Sequence, residues 1–245
     1  MENQQRNDLI ISGMGSSAGG IFNIVAINGH GKINGDIDCI DFEVNGICSI
    51  EGNVKTELCT IDGKGKINGN VDANNIYLNG STKIIGDVKV KDMKFNGISN
   101  IEGSVNAENI ENNGVTAITG NCDAEVFKSK GAFNISGLLN AEKIDIMTYA
   151  ASTVKEIGGE NIMIRIGSYI KIKKFFKTII PTIVTLGVTT DLIEGDDIYL
   201  EYTKAKIVRG KNIVLGKGCE IGYVEYTDHY EQSDKSKVQE SKKVD

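Results

Sequence analysis

Residues that commonly carry catalysis are few in this chain of 245 residues. Its two histidines, His30 and His229, have no partner in the sequence from which a nucleophilic triad could be assembled. No H-x-x-x-H pair and no Cys/His set offers the ligands that a metal needs. We therefore predict that the protein is not an enzyme and takes no metal, no cofactor and no small-molecule substrate.

The cysteine and glycine patterns agree with this prediction. The cysteines show no C-x-x-C spacing, so we predict reduced thiols that pack as small apolar side chains. They are Cys39, Cys48, Cys59, Cys122 and Cys219. The glycine-rich stretch 13–20 lacks the G-K-[ST] ending of a phosphate loop. We predict that it is a flexible entry to the first structured segment.

The composition narrows the class of partner. A formal net charge of -6 argues against a chain that wraps nucleic acid. No apolar run approaches the roughly 18 residues of a membrane-spanning helix. The start of the chain, Met1 to Asp8, is polar and has no apolar signal core. Together with the free cysteines, these features predict a cytoplasmic protein.

A 17-residue repeat runs through positions 29–147. Three of its columns match seven times without an insertion. One glycine recurs at Gly29, Gly46, Gly63, Gly80, Gly97, Gly114 and Gly131. A second recurs at Gly35, Gly52, Gly69, Gly86, Gly103, Gly120 and Gly137, and two residues before it stand Ile33, Ile50, Ile67, Ile84, Ile101, Ile118 and Ile135.

The spacing of the apolar columns predicts the fold. Within each repeat the inward positions follow seven steps of two residues and one step of three. Steps of two indicate extended strand with every second side chain on one face, and the step of three restores that face at a corner. Helical repeats would show a 3.6-residue spacing. The sequence therefore predicts an all-β fold, a single-stranded β-helix (solenoid) with a 17-residue coil.

Asparagine precedes most glycines of the first column, as in Asn45-Gly46 and Asn79-Gly80. Asn-Gly is a strong turn signal, because both residues tolerate positive φ. Two interpretations are open. The asparagines serve only as turn formers, or stacked coils align them into a ladder of side-chain hydrogen bonds.

Beyond Ile146 the repeat weakens, and we predict five segments. They are a flexible N-terminal segment (1–20), a β-helix with seven regular coils and one or two imperfect ones (21–167), a basic and apolar insertion (168–190), C-terminal β-helix coils (191–227) and a disordered charged tail (228–245). The insertion is either a loop or strand pair packed on the flank of the solenoid, or an amphipathic contact with a membrane or partner. The residues of such a contact are Lys171, Lys173, Lys174, Phe175, Phe176 and Lys177.

The recurrent N-G-x-x-x-I-x-G-x-V pattern, as in residues 45–54, resembles the bactofilins, the bacterial polymer-forming cytoskeletal proteins. The stretches IEGDDIYLEYTKAKIVRG (193–210) and LGKGCEIGYVEY (215–226) are similar to the variety found in Gram-positive bacteria. The resemblance implies a right-handed β-helix that polymerises without nucleotide into filaments lacking polarity. It also implies a scaffold in envelope synthesis, cell shape or motility, with further copies, or a related paralogue, as partners.

Self-assembly has a physical argument of its own. The first and last coils of a solenoid leave backbone groups unpaired, and repeat proteins normally cover them with polar caps. No capping helix is evident at either end, so we predict end-to-end association through the terminal coils. The residues predicted to form these contacts are Ile24, Ile27, Ile213, Leu215, Ile221 and Val224.

Other functions of a solenoid are less well supported. A hexapeptide-type acyltransferase shares the architecture, and residues 215–222 faintly imitate its repeat, but it needs an 18-residue coil and usually a catalytic histidine. An extracellular adhesive or carbohydrate-active β-helix is opposed by the polar start and the free cysteines. A non-polymerising adaptor that recruits partners through its flat faces is the main alternative.

Overall fold

The computed structural model describes residues 6–167 and 186–245. They belong to two compact units, divided between Gly120 and Asn121. Each unit is a parallel β-solenoid, and together they contain about 13 turns of about 17 residues. Every regular element in the described ranges is a strand, which confirms the predicted fold class.

The first unit contains thirteen strands. They are β1 (Asn7–Ile11), β2 (Met14–Ile27), β3 (His30–Asp38), β4 (Asp41–Val44), β5 (Ile47–Glu51), β6 (Val54–Ile61), β7 (Lys64–Asn68), β8 (Val71–Leu78), β9 (Ser81–Ile85), β10 (Val88–Phe95), β11 (Ile98–Glu102), β12 (Val105–Asn112) and β13 (Val115–Ile118). The second unit contains β14 (Cys122–Ser129), β15 (Ala132–Thr148), β16 (Ala151–Ile166), β17 (Gly187–Leu200), β18 (Thr203–Leu215), β19 (Glu220–Gln232) and β20 (Lys237–Lys243).

The strand register of the first unit reproduces the sequence repeat. Val54 of β6 pairs with Val71 of β8, and Val71 pairs with Val88 of β10. On another face Ile50 pairs with Ile67 in the same parallel sense. Each residue therefore lies beside its equivalent in the next repeat, so that like side chains stack along the solenoid.

The inward columns form the core of the first unit. The isoleucines of the repeat column are at most 1% exposed: Ile33, Ile50, Ile67, Ile84, Ile101 and Ile118. Phe42 and Phe95 are the largest of the fully buried side chains. The interior also holds hydroxyls, and the side chains of Thr82 and Ser99 have no hydrogen-bond partner among the described residues.

The first glycine column is required for close stacking of the turns. A Cβ at Gly63 would overlap the carbonyl oxygen of Gly46, and one at Gly80 would overlap that of Gly63. Neither glycine has a positive φ. Glycine is therefore needed here because neighbouring backbones approach closely, whereas the sequence argument for Asn-Gly invoked positive φ.

Two ladders of polar side chains run along the outside. In the first, the Asn45 amide donates to Asn28 Oδ1 (3.0 Å) and the Asn96 amide donates to Asn79 Oδ1 (2.7 Å). The asparagines are therefore more than turn formers. In the second, which the sequence did not suggest, side-chain oxygens accept backbone N–H groups of the following turn. The Asn70 amide oxygen, for example, accepts from the N–H of Asp87 at 2.9 Å.

Turn length varies in the second unit. Ile144 pairs with Ile162, so this turn is longer than the regular repeat, whereas Val188 pairs with Thr203, so that turn is shorter. Strands β16 and β17 flank the segment 168–185 in the sequence. They pair in parallel, so that Ile162 lies beside Ile198. The ladder thus continues although the sequence period changes.

Both ends of the described chain differ from the predictions. The region predicted to be a flexible segment (1–20) holds β1 and the start of β2, and Ile11 is 8% exposed. The region predicted to be a disordered tail (228–245) holds the end of β19 and all of β20. The reason is that pairing with a neighbouring turn stabilises a strand even where glycine or charge dominates the composition. Of the predicted insertion, residues 168–185 lie outside the described residues, and β17 begins at Gly187.

Candidate self-assembly edges

The structure places most residues of the predicted end contacts inside the solenoid. Ile27, Ile213, Leu215, Ile221 and Val224 are at most 2% exposed, and Ile24 is half-buried. Ile221 pairs with Val238 of β20, so a further turn lies outside it. The outermost strands are β1 in the first unit and β20 in the second.

The N-terminal edge consists of β1 and of residues Met14–Gly20, the first part of β2. Within the described ranges β1 pairs with one strand, the second half of β2, through contacts such as Ile11 with Ile27. Apolar side chains project from this region, since Ile10 is 60% and Met14 88% exposed. Asp8 is the one charged residue of this edge, and from Leu9 to Gly29 the sequence has no charged residue.

The C-terminal edge is strand β20, which pairs with β19 in parallel register. It carries Lys237, Glu240, Lys242 and Lys243, all exposed. Polar groups also occupy the turn beneath it, where the Tyr230 hydroxyl donates to Gln232 Oε1 at 2.8 Å and the Tyr226 and Tyr230 rings stack 5.2 Å apart. This edge is strongly polar, whereas the N-terminal edge is uncharged along most of its length.

The predicted membrane or partner contact falls between β16 and β17 in the sequence. Its residues, Lys171, Lys173, Lys174, Phe175, Phe176 and Lys177, all lie outside the described residues. In the ranges 6–167 and 186–245, no helix has the length and apolar character needed to span a membrane.

The cysteine side chains are buried, and the other side chains that could bind a metal do not cluster among the described residues. All five cysteines are free and buried. Burial raises the pKa of Cys48 and Cys122 to about 12, and that of Cys39 to about 11, so these thiols stay protonated at neutral pH. No group of three or more His, Cys, Asp or Glu side chains suited to a metal occurs in the described part of the chain.

A groove on the second unit was not foreseen from the sequence. It has a volume of about 670 Å³ and lies across β15 to β18. Met163, Tyr199 and Val214 form its apolar floor, and Met163 is 42% exposed. An ion pair borders the groove, in which one guanidinium nitrogen of Arg165 donates to both carboxylate oxygens of Asp145, at 2.9 and 2.8 Å. The groove could have been predicted from the apolar residues that occupy outward positions in this irregular part of the repeat.

Glu201 is another structurally important residue that the sequence did not reveal. Its side chain is 14% exposed. Its carboxylate accepts the backbone N–H of Ile166 at 3.0 Å and the Tyr199 hydroxyl at 3.4 Å, and forms an ion pair with Lys217 at 3.5 Å. Ile166 is the last residue of β16. The carboxylate therefore satisfies a donor at a strand end.

Stacked parallel turns, as each unit has them, define a β-solenoid repeat protein. Within that class, the chain belongs to the bactofilin family. The family profile described as "Bactofilin: Polymer-forming cytoskeletal" matches residues 25–123. This confirms the resemblance found in the sequence, and the family is a structural, polymer-forming one.

Two relatives in Bacillus subtilis (strain 168) support the assignment. The chain is 54% identical over 237 residues to the uncharacterized protein YhbE, a match that covers 96% of the chain and 98% of YhbE. It is 36% identical over 98 residues to the uncharacterized protein YhbF, which covers 40% of the chain and only 37% of YhbF. No solved structure matches the chain.

Proposed function

We propose that the chain is a scaffold protein that assembles with copies of itself into filaments, without nucleotide, by stacking terminal turns end to end. Such filaments would organise envelope, shape or motility machinery. The supporting observation is that the parallel ladder of each unit extends to an outer strand, β1 in the first unit and β20 in the second, each paired on one side among the described residues. Membership of a polymer-forming family supports the same conclusion.

Backbone hydrogen bonding provides the physical reason. An outer strand presents unpaired N–H and C=O groups, which another strand can satisfy at a spacing of about 4.8 Å. A second solenoid can therefore add to the first as if it were one more turn. This addition needs no bound nucleotide.

The proposal is tested by negative-stain electron microscopy and light scattering of the purified full chain without nucleotide. We expect filaments or large oligomers. Arginine at Leu215 or Ile221 would be a poor probe, because both side chains are buried and the change would disrupt the core. Ile10→Lys is better, because Ile10 is 60% exposed on β1.

A matched control is Ile98→Lys, since Ile98 is 63% exposed but lies on β11, which pairs with β9 and β13 and is not an outer strand. Ile10→Lys should shorten or abolish the assemblies, and Ile98→Lys should leave them intact. A wild-type chain that stays single at every concentration would refute the proposal.

A second candidate function is that of a non-polymerising adaptor. The groove floored by Met163, Tyr199 and Val214 favours it, because apolar surface rimmed by charged groups is typical of partner sites. The same scattering experiment separates the two functions, since an adaptor of this kind remains a single chain. Two further partners remain predictions: a related paralogue and a membrane surface.

A further inference from the structure

Asn-Gly steps are sites of spontaneous deamidation, because glycine has no side chain to shield its backbone nitrogen from the asparagine side chain. Two such steps of this chain, at Asn34 and Asn68, lie in β3 and β7, each of which pairs with a strand on either side. Five more belong to the first glycine column: Asn28, Asn45, Asn79, Asn96 and Asn113.

Deamidation of such a step consumes one water molecule and releases ammonia. The glycine backbone nitrogen loses its proton to hydroxide and attacks Cγ of the asparagine, so that a C–N bond forms and the amide nitrogen leaves as ammonia. Water then opens the cyclic imide at either carbonyl and gives aspartate or isoaspartate. A glycine N–H that donates to a fixed backbone acceptor has to break this hydrogen bond before its nitrogen can attack.

The inner steps of the column are held by strands that are themselves paired on both sides. The N–H of Gly80 donates to the Ile61 oxygen at 2.9 Å, and that of Gly97 donates to the Leu78 oxygen at 3.0 Å. Ile61 belongs to β6, which pairs with β4 and β8, and Leu78 belongs to β8, which pairs with β6 and β10. Freeing either glycine nitrogen therefore disrupts a ladder inside the unit.

The first step of the column depends on the outer strand instead. The N–H groups of Asn28 and Gly29 both donate to the oxygen of Ile11, at 2.9 and 3.2 Å. Ile11 is the last residue of β1, which pairs only with β2 among the described residues. Just before β1, Arg6 forms an exposed ion pair with Asp38 at 2.8 Å, and exposed pairs contribute little stability. A terminal strand of this kind opens at a lower free energy than an interior one.

We propose that Asn28 is the site at which the folded chain deamidates fastest, and that opening of β1 controls the reaction. The product adds a negative charge to the first position of the asparagine ladder. Aspartate fits this position, because Asp62 stands in the same column and accepts the Asn79 amide at 2.7 Å. Isoaspartate has one more main-chain atom and would lengthen the turn between β2 and β3. This inference goes beyond the proposed function and does not depend on it.

Peptide mapping by mass spectrometry tests the inference on the full chain, kept in dilute solution at mildly alkaline pH. We expect conversion at Asn28 to be at least about tenfold faster than at Asn79 or Asn96, which corresponds to roughly 1.4 kcal/mol less free energy of opening. In concentrated urea the three sites should react at similar rates, because nothing then holds the glycine nitrogens. Equal rates in the folded chain, or faster conversion at an inner site, would overturn the inference.

A variant that weakens the anchoring of β1 tests the control by strand opening. Arg6→Ala removes the ion pair beside β1 and should speed conversion at Asn28 several-fold, while Asn96 stays slow. Lys83→Ala is the matched control, because it removes an exposed ion pair of comparable length from β9, which pairs with β7 and β11. This control should leave the rate at Asn28 unchanged.

Deletion of residues 2–11 removes β1 and should give the largest increase at Asn28. The rate at Asn96 reports whether the unit is still folded, since it rises only when the interior ladder opens. If the deletion also accelerates Asn96, the comparison of Arg6→Ala with Lys83→Ala decides. Should Asn28 react no faster than in the wild type once β1 is weakened or removed, the role assigned to β1 is wrong.

Discussion

At the scale of single residues, the glycines of the first column set how closely turns can stack. A Cβ at Gly80 would overlap the carbonyl oxygen of Gly63, whereas one at Gly13 would meet no atom within 4 Å. We predict that Gly80→Ala lowers the free energy of unfolding by about 3 kcal/mol, the upper part of the range for overpacking. Gly13→Ala should leave it nearly unchanged. Urea unfolding midpoints measure both, and equal midpoints would contradict the stacking argument.

A second prediction at this scale concerns pH. Hydrogen bonds from Lys155 and Lys206 lower the pKa of Asp191 to about 2. Because the unfolded value is about 3.9, the ionised carboxylate stabilises the fold fully above that pH, and the stabilisation is lost as pH falls towards 2. Asp191→Asn should therefore be less stable than wild type at neutral pH, with a difference that shrinks below about pH 4.

Urea unfolding at a series of pH values tests this prediction. Glu142→Gln is the control, because Glu142 has no ion pair with any described residue. Its difference from wild type should show no such loss on acidification. A difference for Asp191→Asn that stays constant between neutral and acidic pH would refute the role assigned to the two lysines.

At the scale of elements, the regular turns were predictable and the irregular ones were not. Ile33, Ile50 and Ile67 recur at one spacing because each lies above its equivalent in the turn before. In the second unit, turns change length while strand pairing persists, so no fixed period exists to be found. Strand β20 was missed because its composition is charged, and its pairing with β19 depends on residues distant from its own sequence.

The candidate edges were only partly predictable for a related reason. The sequence predicted contacts through the terminal coils, but it named Ile213 and Leu215, which β19 covers. An apolar residue in a repeat has the same local pattern whether it lies inside or at the end. Only the position of the outermost strand separates the two cases.

The strand end at Ile166 gives an element-scale prediction. Its backbone N–H donates to the Glu201 carboxylate at 3.0 Å. Glu201→Ala would leave this donor unsatisfied and remove the partner of Lys217, at a cost of about 1–3 kcal/mol. Hydrogen exchange at Ile166 should accelerate accordingly. Glu201→Gln retains an acceptor and should restore most of the protection; equal exchange in all three proteins would contradict this role.

At the scale of the whole molecule, edge chemistry sets how assembly responds to salt. Asp8 is the one charged residue of the N-terminal edge, so pairing there depends mainly on backbone hydrogen bonds and apolar contact. Salt at about 1 M screens charges that lie more than roughly 3 Å apart. We predict that raising the salt concentration from about 0.1 M to about 1 M nevertheless leaves the assemblies intact. Light scattering measures the size of the assemblies at each salt concentration. Dissociation to single chains in high salt would indicate that the contact is electrostatic.

The most direct measurement of the central claim is sedimentation velocity of the full chain over a wide range of concentration, without nucleotide. We predict that wild type forms assemblies much larger than a single chain when concentrated. Ile10→Lys should form smaller assemblies or sediment as a single chain at the same concentration, and Ile98→Lys should behave as wild type. A wild-type chain with the mass of one copy, 26.5 kDa, at every concentration would contradict the account.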